Sequence, residues 1–285
     1  MKFLVLGNAH RPGVAEEAER LLPVVEQHGE IVLVDLYQEQ DLRDVKADMT
    51  LVLGGDGAIL RAARQMGYQQ IPVLGINLGK LGFLADLSPE HVVHCLPEVA
   101  QGEFQVRRHL MFECLVEGPD KEGSTLFLGL NEITLQTGPP FHMIDLDLVI
   151  GGETISRYTG DGLIISTPIG STAHNLSAGG PILEQGLFAF VITPICPHAL
   201  TSRPLVDSAD KTYTICINRA DGGTTLVIDG QERVPLTTEH RVTIRKAPVT
   251  FGLVKLPGRS YYQTLRDKLR WGTPPNYRQE SRGKA

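Results

Sequence analysis

Apolar residues in the first hundred positions come in nearly continuous runs. KFLVLG (2–7), IVLVDL (31–36), MTLVLGG (49–55) and IPVLGIN (71–77) predict strands covered on both faces of a sheet. Between them, RPGVAEEAERLLPVVEQHG (11–29) and GAILRAARQMG (57–67) carry apolar residues at helical spacing. Pro12 near the start and Gly29 just past the end delimit the first helix, which Pro23 is expected to kink or divide. The pattern predicts an α/β domain over residues 1–105. Alternation then replaces continuity. HLMFECLVEG (109–118), STLFLGLNEITLQT (124–137), HMIDLDLVIGG (142–152), ETISRY (153–158), TYTICI (212–217), TTLVIDGQ (224–231), RVTIRKA (241–247) and TFGLVKL (250–256) read as strands. They predict a mainly β, sandwich-like domain of two packed sheets over 106–254, interrupted by one helical insertion near Ser171–Ala178. YYQTLRDKLRWG (261–272) has helical spacing and is expected to return to the first domain. A loose basic tail is expected after about residue 273.

Composition narrows the class. The chain has 285 residues, 42% hydrophobic and 21% charged, as in an ordinary soluble protein, long enough for one large domain or for two, the second being favoured. Its net charge of −6 is uneven, since Lys255–Ala285 holds eight Lys or Arg against two Asp or Glu. That basic segment carries no recognisable nucleic-acid reader motif, so no nucleic-acid partner is expected. Cys95, Cys114, Cys196 and Cys216 are widely spaced and form no CxxC pair, which argues against a zinc knuckle or a disulfide framework. MKFLVLGNAH is too short and too quickly polar for a signal peptide, and no run approaches the length of a membrane span. A cytoplasmic location without a membrane partner is the expectation.

Four stretches carry candidate chemistry. Gly54-Gly55-Asp56-Gly57 joins a strand to a helix. Its glycines permit close approach of a ligand, helix amides are available to an anion, and Asp56 is placed to orient or deprotonate a hydroxyl. A turn or capping aspartate is the alternative. The stretch is neither a dinucleotide fingerprint nor a Walker loop. In LGINLGKLGFLADL (74–87), Asn77, Gly79 and Gly82 break the link to the next element, leaving Phe83 as core or as an adenine-stacking wall. Asn131-Glu132 sits at a strand, where neighbours point to opposite faces unless the strand ends or bulges there. An amide and carboxylate pair suits a ribose diol; a sheet rim is the alternative. The longest stretch, YTGDGLIISTPIGSTAHNLSAGGPI (158–182), puts Asp161 on a second GDG turn. Ser171 or Thr172 is positioned to cap the short helix that follows. Small residues there leave room for a flat ring or a sugar, with hydroxyls and amides to hold it.

Taken together these segments resemble the NAD kinase family over nearly the whole chain. The shared motifs are GGDG (54–57), LGFL (81–84), NE (131–132), GDGLIISTPIGSTAHNLSAGGPI (160–182), ITPICPHALTSRPLV (192–206) and LPGRSYYQTLRDKLRWG (256–272). The resemblance implies phosphoryl transfer to the 2′-hydroxyl of the adenosine ribose of NAD, giving NADP. By the family pattern Asp56 is the general base or hydroxyl-orienting carboxylate, and Gly55 and Gly57 admit the pyrophosphate. Asn131, Thr172 and Ala173 hold the adenine and Glu132 the ribose. Asp161, His174 and Ser177 lie towards the nicotinamide half. Also implied are ATP (or another triphosphate, or polyphosphate) as donor, Mg²⁺ or another divalent cation arriving with the nucleotide, and homodimers or homotetramers with sites completed across subunits. Three departures stand out: Ala58 in place of Thr after GGDG, Ile169 in place of Thr in TPTGSTA, and His174 in place of Tyr in STAY. Competing readings are a non-catalytic NAD-binding sensor, and a lipid or sugar kinase sharing only the GGDG turn.

Overall fold

The computed structural model describes residues 1–79, 82–85, 87–119, 123–257 and 260–271. Strands β1 (Lys2–Leu6), β2 (Glu30–Asp35), β3 (Met49–Leu53) and β4 (Val73–Ile76) are parallel and lie in the order β2-β1-β3-β4. Side chains alternate between two apolar clusters. Phe3, Val5, Leu51 and Leu53 face α1 (Val14–Glu26) and α3 (Pro89–Ala100). Leu4, Leu6 and Val52 face α2 (Asp56–Met66) on the other side. A sheet buried on both faces needs apolar residues at every position, which is why its strands read as unbroken runs. α1 begins at Val14, after Gly13 in a left-handed conformation (φ 82°), rather than at Pro12. It also runs through Pro23 undivided, held by Val14, Ala18, Leu21 and Val25 against the sheet.

The long strands β5 (Gln105–Glu117) and β16 (Arg241–Lys255) pair antiparallel along their length. The RVTIRKA and TFGLVKL runs are therefore one strand rather than two, with the register shifting between Lys246 and Thr250. At one end β16 lies parallel to β4 through Leu253 and Val73; at the other it pairs with β13 (Tyr213–Arg219). β13 is followed outward by β8 (Ile144–Ile150) and β9 (Glu153–Gly160), while β6 (Thr125–Gly129) pairs with β5. This makes a ten-stranded sheet. The second sheet is six-stranded and antiparallel: β12 (Leu205–Ser208), β11 (Ala189–Ile195), β10 (Gly162–Ser166), β7 (Glu132–Gln136), β14 (Thr225–Ile228) and β15 (Glu232–Pro235).

Side chains from both sheets meet in the core of the second half. Phe190 of β11 and Tyr213 of β13 are wholly buried and contact edge to face at 5.3 Å. The expected two-sheet sandwich is present, with one refinement: one of its sheets is the continuation of the α/β sheet. Alternation along 106–254 reports a half-covered strand but not which sheet it joins.

α5 (Tyr261–Leu269) is capped by Ser260, whose Oγ accepts from the Gln263 amide at 3.2 Å. Its Tyr261 hydroxyl donates to the Leu183 carbonyl, and Lys268 lies 4.8 Å from the Phe83 ring centroid. The expected loose tail after about residue 273 lies outside the described residues, as does Leu81 of the LGFL motif.

Candidate active site

The GGDG turn closes β3 and opens α2. Gly54 takes φ 138°, and a Cβ there would meet Ala58 Cβ at 2.8 Å. Gly55 is the N-cap and supplies no side-chain cap, so the first-turn amides are left without one. Open space lies beside Gly55 and Gly57, where an added Cβ meets nothing within 4 Å. Asp56 turns the other way. Its Oδ2 accepts from Phe83 N at 2.8 Å, and its Oδ1 from Leu84 N at 2.9 Å and Ala85 N at 3.1 Å. Gly82 is obligatory at this contact, since a Cβ there would sit 2.0 Å from Asp56 Oδ1. The carboxylate thus fastens the 82–85 loop, keeping roughly one of its four lone-pair sites for another partner. Phe83 is half-buried and its ring faces Lys268.

A cleft of about 680 Å³ opens over this turn. Its walls come from the carboxyl ends of the parallel strands: Asn8 and Arg11 after β1, Gln38 after β2, Gly54, Gly55 and Gly57 after β3 and Asn77–Gly79 after β4, while Asp56 sits beside it. That is where ligands bind in open α/β sheets. Arg61 of α2 also lines it and donates to Gln38 Oε1 at 2.7 Å, a neutral acceptor. Gly230 and Gln231 close the far side from the second half of the molecule.

The Asn131-Glu132 pair lies where β7 begins, with Asn131 just outside the strand, so the strand end meets the condition that its adjacent polar side chains required. Both are buried, and Asn131 Oδ1 and Glu132 Oε2 have no hydrogen-bond partner. Beneath them lies Asp229, which in the sequence is only the end of the apolar run TTLVIDGQ. Its carboxylate accepts from Leu130 N at 2.9 Å, Asn131 N at 2.7 Å and Glu132 N at 3.1 Å. Burial and the nearby Asp229 charge push the Glu132 carboxyl up to about 8. Burial raises Asp229 to about 6 against the lowering effect of the three amides and of Arg64.

The 158–182 stretch folds beside this pair. Asn131 O accepts from Thr167 N at 2.8 Å, and a Cβ on Gly170 would come within 2.3 Å of that same oxygen. A 3₁₀ turn, Gly170–Thr172, leads into α4 (His174–Ser177), whose N-cap is Ala173. Neither Ser171 nor Thr172 caps this helix, contrary to expectation. Ser171 Oγ donates to Pro168 O at 2.6 Å and accepts from Leu183 N at 3.0 Å, while Thr172 Oγ1 donates to Ile169 O at 3.2 Å. These hydroxyls are spent on the turn itself. His174 is exposed, with Nδ1 3.3 Å from Thr134 Oγ1; Ser177 is exposed and Ala173 partly so. Ile169 is buried among Leu130, Ile59 and Ala85, which makes its departure from the family pattern a packing change.

The two halves of the site are joined physically. Gln231 Nε2 donates to Gly57 O at 3.0 Å, and Arg64 of α2 donates to Gln231 Oε1 at 3.0 Å and Glu232 Oε1 at 2.6 Å. Leu130 and Ile169 share a core cluster with Ile59, Leu84 and Ala85, bringing Asn131, Glu132, Thr172 and Ala173 towards the GGDG turn. Asp161 is elsewhere. It is exposed at the opposite end of β10 from Ser166, roughly 16 Å along the strand.

Comparison with known proteins agrees with this arrangement. The family model described as the ATP-NAD kinase N-terminal domain matches residues 4–104, and that of the ATP-NAD kinase C-terminal domain matches 130–256. The NAD kinase of Rhodopirellula baltica is 46% identical over 270 residues, covering 95% of this chain and 86% of its own. That of Carboxydothermus hydrogenoformans is 41% identical over 242 residues, covering 85% and 86%. Among solved structures, yeast NADH kinase complexed with NADH shares the fold, with a TM-score of 0.86 at 22% identity over 98% of this chain and 90% of that one. An NAD kinase from Archaeoglobus fulgidus in complex with ATP matches with a TM-score of 0.74 at 28% identity, over 95% and 99%. A lipid or sugar kinase sharing only the GGDG turn would not match across both halves. With both family models matched and close relatives spanning the chain, the chain belongs to the NAD kinase family.

Proposed function

We propose that this NAD kinase transfers the γ-phosphoryl group of ATP to the 2′-hydroxyl of the adenosine ribose of NAD, with Asp56 acting on that hydroxyl. The observation that carries the reading is the Asp56 carboxylate, fixed by three loop amides beside a cleft lined with glycines and two guanidinium groups. A ribose hydroxyl is a weak nucleophile, but a loose phosphoryl-transfer transition state needs little push. Alignment and charge compensation matter more. Asp56 would orient the hydroxyl and take its proton as the new O–P bond forms and the bond to the β-phosphate oxygen breaks, releasing ADP. The Gly55 and Gly57 turn, Arg11 and Arg61 would receive phosphate charge. Asn131 Oδ1 suits the adenine amino group and Glu132 the ribose diol, since both oxygens are buried and want partners. Thr172 and Ala173 would border the adenine through backbone and shape, their neighbouring hydroxyls being already engaged. His174 and Ser177, exposed on α4, would face the nicotinamide half.

No group of three or more His, Cys, Asp or Glu suited to a metal occurs among the described residues. A Mg²⁺ arriving with the triphosphate would find Asp56 as the nearby carboxylate. When bound it would neutralise charge on the transferring group. The remoteness of Asp161 supports a homo-oligomer in which Asp161 serves a neighbouring subunit. Apolar exposure of Leu200 (90%), Leu205 and Val206 near the β12 edge offers a surface for such contact. No helix among the described residues is long and apolar enough to cross a membrane, and a cytoplasmic location goes with the proposed chemistry.

The test is product identity. Purified protein with NAD, ATP and Mg²⁺ should form a product that an NADP-specific dehydrogenase reduces. Absence of that product, with NAD bound and ATP consumed elsewhere, would refute the acceptor assignment.

A further inference from the structure

Asp229 follows β14 in a left-handed conformation (φ 50°), and its own amide donates to Glu132 O at 2.9 Å. The side chain closes the motif, because its two oxygens together accept from three consecutive amides, Leu130, Asn131 and Glu132. Two observations give this buried carboxylate a role beyond fastening a loop. Two of the three residues it holds, Asn131 and Glu132, have a buried side-chain oxygen, Oδ1 and Oε2, without a hydrogen-bond partner among the described residues. The segment leaving Asp229 then crosses to the GGDG element, where Gln231 reaches the Gly57 carbonyl and Arg64 grips both Gln231 and Glu232.

We propose that Asp229 is a positioning residue for the acceptor nucleotide: it sets the direction in which Asn131 and Glu132 present their unpartnered oxygens, and keeps that pair in register with the GGDG turn. This rests on the reading that Asn131 and Glu132 contact the adenosine of NAD. The physical requirement is strict. All three amides point at one group, so the group must accept on both oxygens and donate nothing. Asp229→Asn would turn an NH₂ towards at least one of these N–H groups, and the turn must shift to relieve the conflict. Asp229 does not itself line the cleft over the GGDG turn, although Gly230 and Gln231 after it do, so the expected selectivity for NAD rests on its three bonds to the 130–132 amides.

The experiment is steady-state kinetics of the full chain with NAD and ATP varied in turn, alongside thermal melts. Asp229→Asn is expected to raise KM for NAD about tenfold or more while KM for ATP stays within about twofold. A double-mutant cycle with Asn131→Ala should be strongly non-additive, since an unaligned Asn131 has little left to lose. A lowered melting temperature with KM for NAD unchanged would overturn the proposal, as would equal rises in both KM values or full additivity. If Asp229→Asn does not fold, Asp229→Glu keeps the charge but displaces the oxygens by one methylene, and must show the same selective loss. If the wild type binds NAD but forms no NADP, the underlying reading of the reaction fails. The same comparison made by NAD titration then decides the positioning role alone.

Discussion

At the scale of single residues, the site depends on carboxylates whose surroundings dictate their use. Gly82→Ala would drive a Cβ to 2.0 Å from Asp56 Oδ1, so the carboxylate must leave its three amides. Turnover should fall at least about tenfold, read as NADP formed per enzyme, if Asp56 acts on the hydroxyl as proposed, because that group is displaced. Glu132 makes a pH prediction. Its folded value, raised to about 8 from 4.5, means that the folded state holds a proton the unfolded chain releases. That contribution to stability is full below the unfolded value and is lost as pH rises through the folded one. The melting temperature of the ligand-free protein should therefore decline between about pH 6 and 8.5, and Glu132→Gln should flatten that decline. Identical slopes in the two proteins would remove Glu132 as its cause. The residues of this scale divide sharply in legibility. Asp56 announces itself because a charged side chain among glycines has few local explanations. Asp229 does not, since an Asp-Gly pair ending an apolar run looks like any turn, and its amide partners lie 97 to 99 residues away.

At the scale of elements, the STPIGSTA segment builds its own shape from hydroxyls. Ser171 Oγ serves both Pro168 O and Leu183 N in a fully buried position. Ser171→Ala would orphan both and should cost about 1–3 kcal/mol of stability in urea unfolding, with NAD affinity falling only as far as the turn deforms. Unchanged stability would mean that the hydroxyl is free for ligand after all. The sequence shows that this stretch is special but not how its polar groups are spent. Small residues and hydroxyls fit a ligand pocket and a tightly bonded turn equally well. A similar limit applies to β16. A 15-residue strand with a register shift between Lys246 and Thr250 reads as two, because the shift breaks the alternation that marks a single strand.

At the scale of the whole molecule, the domains seen in the sequence share a sheet. β5 and β16 pass through both halves, and Leu130 and Ile169 pack into the same cluster as α2. Calorimetry should show one cooperative transition; two separate ones would contradict a shared sheet that unfolds as a unit. The α/β half was legible because continuous apolar runs alternate with helical spacing. The join was not, since it depends on pairings such as Leu253 with Val73 that no local pattern encodes. Such a frame sets Asp56 beside the cleft over the GGDG turn and packs Leu130, next to the Asn131-Glu132 pair, into the cluster that α2 shares. The most direct test of the proposed role of Asp56 is Asp56→Asn, which also sets an NH₂ against at least one of the three loop amides, so turnover, NAD affinity and melting temperature are measured on the same folded preparation. Turnover is expected to fall about a hundredfold or more with the Kd for NAD within about threefold of wild type. Turnover within a few-fold of wild type would contradict it and leave Asp56 as a loop fastener only.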